Sequence, residues 1–128
     1  MKEKVLIVED NSQNMRLLEM LLKPRGYSLL KAVDGEEALD IATREQPDLI
    51  VMDIQLPKLS GLEVTKRLRQ MPAFAHTPII ALTAYAMKGD REKFIRAGCN
   101  AYLSKPINTR ELLRVLGEML PPRQANNH

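Results

Sequence analysis

Pro47-Asp48-Leu49-Ile50-Val51-Met52-Asp53 is the stretch that decides the fold, because it is a short apolar run ending on a carboxylate. Leu, Ile and Val in succession, with no polar alternation, read as a strand covered on both faces, as in a parallel sheet flanked by helices. Such a strand leaves only its end free for chemistry. Ile54-Gln55-Leu56-Pro57 follows, and the proline stops the strand while pushing the residue before it out of the helical region. Asp53 therefore falls at the carboxyl edge of the sheet, where open α/β sheets bind their ligands. A lone aspartate after a strand more often caps the next loop, so the choice between capping and chemistry rests with the remainder of the chain.

Toward the N-terminus, Lys4-Val5-Leu6-Ile7-Val8 is a second apolar run, and it too ends on acids, Glu9-Asp10. Met15, Leu18, Leu21 and Leu22 recur at helical spacing behind an N-cap at Asp10 or Asn11, until Pro24 and Gly26 end the helix. Ser28 to Val33 is more polar and suits an edge-side strand. Asp34-Gly35-Glu36-Glu37 opens the next helix with a capping-box spacing, and Ala38, Ile41 and Ala42 form its buried stripe. Toward the C-terminus, Ser60-Gly61-Leu62-Glu63 repeats the cap, with Leu59, Leu62 and Leu68 marking a third helix that runs out near Met71-Pro72. Thr77 to Thr83 is a fourth buried strand, ending on a hydroxyl. Ala84 to Arg96 has only Met87, Phe94 and Ile95 as large anchors, carries Gly89 near its middle and Gly98 as C-cap, and is expected to be the most weakly held helix. Asn100 to Ser104 is the fifth strand, before Lys105-Pro106. Asn108 with Glu111 caps a last helix whose Leu112, Leu113, Leu116, Met119 and Leu120 give a broad apolar face.

Strand–helix repeats of this kind imply a doubly wound α/β sandwich with right-handed crossovers. The most apolar strands, Val5–Val8 and Leu49–Met52, belong in the middle and the more polar ones at the edges. The flavodoxin-like (βα)5 order 2-1-3-4-5 fits this placement and is borrowed from such folds. At 128 residues the chain is long enough for one domain burying about two thirds of its unfolded surface. Residues 1–120 make that domain and the polar, proline-led 121–128 a frayed tail. With the chain ending soon after the fifth helix, no separate output domain is expected and the signal would leave through protein contacts.

Hydrophobic content of 45% with 27% charge is ordinary for a soluble protein, and no apolar run approaches the roughly 20 residues of a membrane span. The N-terminus lacks a signal-type apolar region and Cys99 is the single cysteine, which points to a reducing cytoplasm. The +3 net charge is dispersed among acids, as in Lys88-Gly89-Asp90-Arg91-Glu92-Lys93, and aromatics are limited to three Tyr and two Phe. Neither a one-sided basic patch nor stacking aromatics is present, so nucleic acid is not an expected partner. Cys99 reads as a small buried hydrophobe, and His76 and His128 have no plausible ligand partners.

In this strand order the carboxyl ends of the first, third, fourth and fifth strands lie side by side, bringing Glu9, Asp10, Asp53, Thr83 and Lys105 to one rim. Carboxylates so close together repel and raise one another's pKa unless a cation is present, so a bound ion is implied. Oxygen donors without His or Cys favour the hard cation Mg²⁺. A metal, a lysine acting as a point charge and a hydroxyl are the parts needed to stabilise a phosphoryl group in flight. Asp53, the central carboxylate, is then the natural nucleophile, forming an acyl phosphate.

At these residues the chain resembles, over essentially its whole length, a receiver domain of the two-component response-regulator family. The acidic pair Glu9-Asp10, the acceptor in Met52-Asp53-Ile54-Gln55-Leu56-Pro57, Gly61, Thr83-Ala84, Tyr102 and Lys105-Pro106 stand at the family's spacing. Ala81 to Asp90 and Tyr102 to Ile107 are similar both to stand-alone cell-division or chemotaxis regulators and to receivers fused to hybrid histidine kinases. The resemblance implies that Asp53 takes a phosphoryl group from a histidine kinase or a histidine phosphotransfer protein. It implies that Asp10, Asp53 and the Gln55 carbonyl bind Mg²⁺, with Glu9 acting through water, that Lys105 contacts the phosphoryl oxygens, and that Thr83 hydrogen-bonds one of them. It further implies a Thr83–Tyr102 switch, a cis Lys105–Pro106 bond, and an effector-binding face on the fourth helix, fifth strand and fifth helix. Tyr85, beside the site with Gln55, is expected to screen the acyl phosphate from water. Such a domain is a phosphoacceptor and not an enzyme with turnover. The alternatives are a phosphate shuttle or sink in a phosphorelay, a Mg²⁺-dependent aspartyl phosphatase of the haloacid-dehalogenase type, and a degenerate receiver. The phosphatase needs a second aspartate two residues after the first, where Gln55 stands, and a degenerate receiver would lack some of the acceptor, metal and lysine positions filled here. Flavin or dinucleotide binding is disfavoured because no Gly-x-Gly-x-x-Gly follows the first strand.

Overall fold

A computed structural model describes residues 3–84 and 89–120. The expectations for Tyr85, for Met87 and for the 121–128 tail lie outside the described residues. Five strands, β1 (Lys4–Val8), β2 (Ser28–Ala32), β3 (Leu49–Asp53), β4 (Ile79–Thr83) and β5 (Ala101–Ser104), form one sheet in the order β2-β1-β3-β4-β5. Every pairing is parallel. β3 and β4 are buried at every position, whereas β2 and β5 are partly open, so burial does sort the strands into centre and edge.

Alternation along the strands divides the core into two layers. Leu6, Val8, Ile50, Met52, Ile79 and Ala81 face α2 (Gly35–Glu45), α3 (Gly61–Arg69) and α4 (Asp90–Ala97). Val5, Ile7, Leu49, Val51, Ile80 and Leu82 face α1 (Ser12–Leu22) and α5 (Thr109–Met119). These side chains are fully buried, and each except Ala81 contributes about 1.5–3 kcal/mol of transfer free energy. Side chains of Asn11, Asp34, Ser60 and Asn108 cap α1, α2, α3 and α5, each accepting from the backbone N–H three residues on. Among the described residues, no helix is long and apolar enough to cross a membrane.

Several local expectations are revised. Gly89 is not inside the fourth helix but is its N-cap, at φ 92°, and the helix spans eight residues. Ile95 is 47% exposed, while Phe94 and Ala97 are buried; three residues apart on one face, those two leave Ile95 turned to solvent. Val115 joins Leu112 and Leu116 in the buried face of α5. Leu59 precedes α3, and its carbonyl lies where a Cβ on Gly35 would come within 2.2 Å. Only glycine lets the loop after β3 approach the first turn of α2 so closely.

Arg69, at the end of α3, ties three segments together. Its guanidinium donates to the carbonyl of Gly98 at 3.0 Å, to the carbonyl of Phe74 and to Asn100 Oδ1 at 2.9 Å. Asn100 Oδ1 also accepts from Ile79 N at 2.9 Å, so the C-cap of α4, the start of β4 and the end of α3 share one polar knot. Cys99 is 4% exposed and packs into the core, its thiol pKa raised by burial.

Candidate functional site

Glu9, Asp53 and Lys105 continue the strand phases that face α1 and α5, since they follow Ile7, Val51 and Leu103 by two residues. Ligand oxygens of Glu9, Asp10 and Asp53 lie within 4.8 Å of one another. Glu9 and Asp53 are each 1% exposed, while Asp10 opens to solvent. Lys105 reaches in from the residue after β5: its Nζ is 3.1 Å from Asp53 Oδ2 and 3.2 Å from Glu9 Oε1. The Lys105–Pro106 bond is cis. Backbone N–H groups complete the hold, Gln55 N donating to Asp53 Oδ1 at 3.1 Å and Asn11 N to Glu9 Oε2 at 3.2 Å.

Burial pushes the Asp53 carboxyl up to about 6. The Glu9 charge adds to the rise, and Lys105 with the Gln55 N–H opposes it. At Lys105, burial works to lower the pKa, but the contacts with Asp53 and Glu9 outweigh it and the net shift is upward. One lysine thus only partly compensates two buried acids. Glu9 Oε1 is buried and accepts no well-aligned hydrogen bond even though the Lys105 ammonium is close by. A carboxylate oxygen in that condition, beside two more carboxylates, fits a hard divalent cation better than it fits a second ammonium.

Thr83 is fully buried at the end of β4. Tyr102 lies in the same phase as Thr83, because it pairs with Ala81 two residues earlier, and its ring meets Phe94 of α4 edge-on at 5.3 Å between centroids. Asp53, Glu9, Asp10 and Lys105 therefore converge directly, whereas Tyr102 sits apart, on the α4 side of the sheet.

The side chain of Gln55 makes contacts that sequence reasoning did not give it, beyond its backbone carbonyl for the metal and its place beside the phosphoryl site. Its Nε2 donates to Thr83 Oγ1 at 3.2 Å and its Oε1 accepts from Ala84 N at 3.1 Å. The signal was available in the register: β3 and β4 pair Asp53 with Leu82, and the same count carried two residues on sets Gln55 against Ala84.

A family profile described as the response regulator receiver domain matches residues 5–117. The polar-differentiation response regulator DivK of Brucella anthropi is 48% identical over 120 residues, covering 94% of this chain and 98% of the relative. Among solved structures, the receiver domain of a sensor histidine kinase from Pseudomonas aeruginosa, with a magnesium ion coordinated in its active-site cleft, superposes with a TM-score of 0.84 at 40% identity, covering 93% of this chain and 98% of the other. The chemotaxis response regulator CheY4 of Vibrio cholerae superposes with a TM-score of 0.88 at 31% identity, covering 94% of this chain and all of the other, 100%.

Proposed function

Because the chain belongs to the response regulator receiver domain family, we propose that Asp53 accepts a phosphoryl group from a phosphohistidine and that the chain passes the signal on through protein contacts. The observation that carries this reading is a buried carboxylate, Asp53, set between a lysine at 3.1 Å and two neighbouring acids. In the transfer, an Asp53 oxygen forms a bond to phosphorus while the P–N bond breaks; the electron pair leaves with the imidazole nitrogen, which takes up a proton. The Lys105 ammonium then holds phosphoryl oxygen charge within reach of Asp53 Oδ2. Glu9, Asp10, Asp53 and the Gln55 carbonyl would hold Mg²⁺, which supplies the charge neutralisation that one lysine leaves incomplete. A related receiver carries magnesium in its cleft, which supports the choice of ion.

The phosphodonor is a histidine kinase or a histidine phosphotransfer protein, and the domain promotes its own phosphorylation and dephosphorylation without turning over a separate substrate. Residues 1–120 act as the receiver unit, with 121–128 as a tail, in the cytoplasm. Output runs from Thr83 through Tyr102 to Phe94, so that an effector binds the face made by α4, β5 and α5; the edge contact between Tyr102 and Phe94 supports this route. A charge-assisted bond from Thr83 to a phosphoryl oxygen is worth about 1.5–3 kcal/mol, enough to shift a population but not to build a new fold. The test is acetyl phosphate with Mg²⁺ followed by intact mass measurement. One base-labile phosphoryl group is expected on the natural chain and none on Asp53→Asn; a labelled Asn variant would overturn the assignment.

A further inference from the structure

We propose that the Gln55 side chain is a latch that holds the end of β4 in its unphosphorylated arrangement, through its two hydrogen bonds to Thr83 Oγ1 and Ala84 N across the cleft. The inference rests on the reading of Asp53 as phosphoacceptor and assigns a further residue to its control.

The amide orientation is fixed by chemistry. A backbone N–H can only donate, so the atom 3.1 Å from Ala84 N is the carbonyl Oε1, and Nε2 is left to donate to the Thr83 hydroxyl oxygen. Both ends of the amide are thereby used on adjacent residues of one strand terminus. The anchor is firm on the other side: Gln55 N is bonded to Asp53 Oδ1, and Ile54 N to the Leu82 carbonyl at 2.9 Å. Gln55 thus bridges the loop that follows the acceptor to the strand end that carries Thr83, the hydroxyl assigned to a phosphoryl oxygen on Asp53. A turn of the buried Thr83 hydroxyl toward a phosphoryl oxygen on Asp53 alters its bond to Gln55 Nε2, and any shift of the strand end that goes with it alters the bond at Ala84 N. Interactions present in one state and weakened in the other bias the equilibrium toward the first. The latch consequently opposes activation until a phosphoryl group competes for the same strand end.

Gln55→Met and Gln55→Ala separate hydrogen bonding from bulk. Met keeps the length of the side chain and loses both strong polar groups; Ala loses both bulk and bonds; neither touches the Gln55 carbonyl. With beryllofluoride and Mg²⁺ as the probe, each variant is expected to bind more tightly than the natural chain by about three- to tenfold, the net worth of roughly one hydrogen bond. Without the probe, the amide resonances of Thr83, Ala84 and Tyr102 in the variants should already be displaced part of the way toward their beryllofluoride-bound positions. An unchanged or weaker affinity, or resonances displaced in an unrelated direction, overturns the latch. Failure of the underlying reading looks different: the natural chain itself then takes up no beryllofluoride, or takes it up equally when Asp53 is Asn, and both ideas fall.

Discussion

Replacing Asp53 by Asn should make the metal-free protein more stable, although it removes the residue on which the proposed chemistry turns. The Asp53 carboxyl is raised from 3.8 to about 6, chiefly by burial and by Glu9. Between those values the folded protein keeps a proton that the unfolded chain has released, so stability falls as the pH rises through the window and levels off above it. Two pKa units correspond to about 3 kcal/mol, an upper bound because water and ions reach the rim. Asn has the same shape and escapes this cost. In urea melts followed by circular dichroism in EDTA, the variant should exceed the natural chain by about 1–3 kcal/mol at pH 7.5, shrinking to about 1 kcal/mol or less at pH 4.5, with the m-value unchanged. Mg²⁺ at ten times its dissociation constant should return about 1.4 kcal/mol to the natural chain, with a smaller gain for the variant. A variant equal to or weaker than the natural chain at pH 7.5, or an advantage that does not shrink in acid, would refute the account of a buried, under-compensated carboxylate.

Lys105→Ala removes the cation 3.1 Å from Asp53 and 3.2 Å from Glu9 but little packing, so the fold should persist while Mg²⁺ binds more tightly and beryllofluoride more weakly, both readable by titration calorimetry. Gly61→Ala would place a Cβ 2.3 Å from the Asp53 carbonyl, a backbone atom that cannot swing aside, and should cost about 1–3 kcal/mol in chemical denaturation; a neutral result would mean that the α3 start can move freely. Phe94→Leu removes the edge contact with Tyr102, worth about 0.5–1.5 kcal/mol, and should speed amide exchange in α4 while leaving α1 and α5 unchanged.

Residue type carried much of the architecture. Apolar runs without alternation identified β1, β3 and β4 as interior, and the polar character of Ser28 to Val33 put β2 at an edge. Acids and a lysine at strand ends announced the rim, because parallel strands must present those ends together. What resisted reading was phase and reach. Ile95 and Phe94 are adjacent large apolar residues, and only the rotation of α4 decides which is buried. Gly89 reads from sequence as a weak point within a helix, although a glycine can equally begin one at positive φ. Gln55 offers a backbone carbonyl and a side-chain amide, and the place of the amide follows only from the pairing of β3 with β4.

Arg69 fastens the C-terminal end of α4, through the Gly98 carbonyl and Asn100. Gly98, at φ 115°, supplies the pivot beside that fastening. A helix of eight residues is about 12 Å long, so a tilt of about 10° around the fastened end carries the far end through about 2 Å and leaves the near end almost still. Such a lever converts a small angle at the core into a displacement of atomic size at the Gly89–Asp90 end. Were α4 to tilt in this way, a partner gripping it near Ala97 would feel almost no difference, whereas one seated at Asp90 would find its footing shifted by more than the length of a bond.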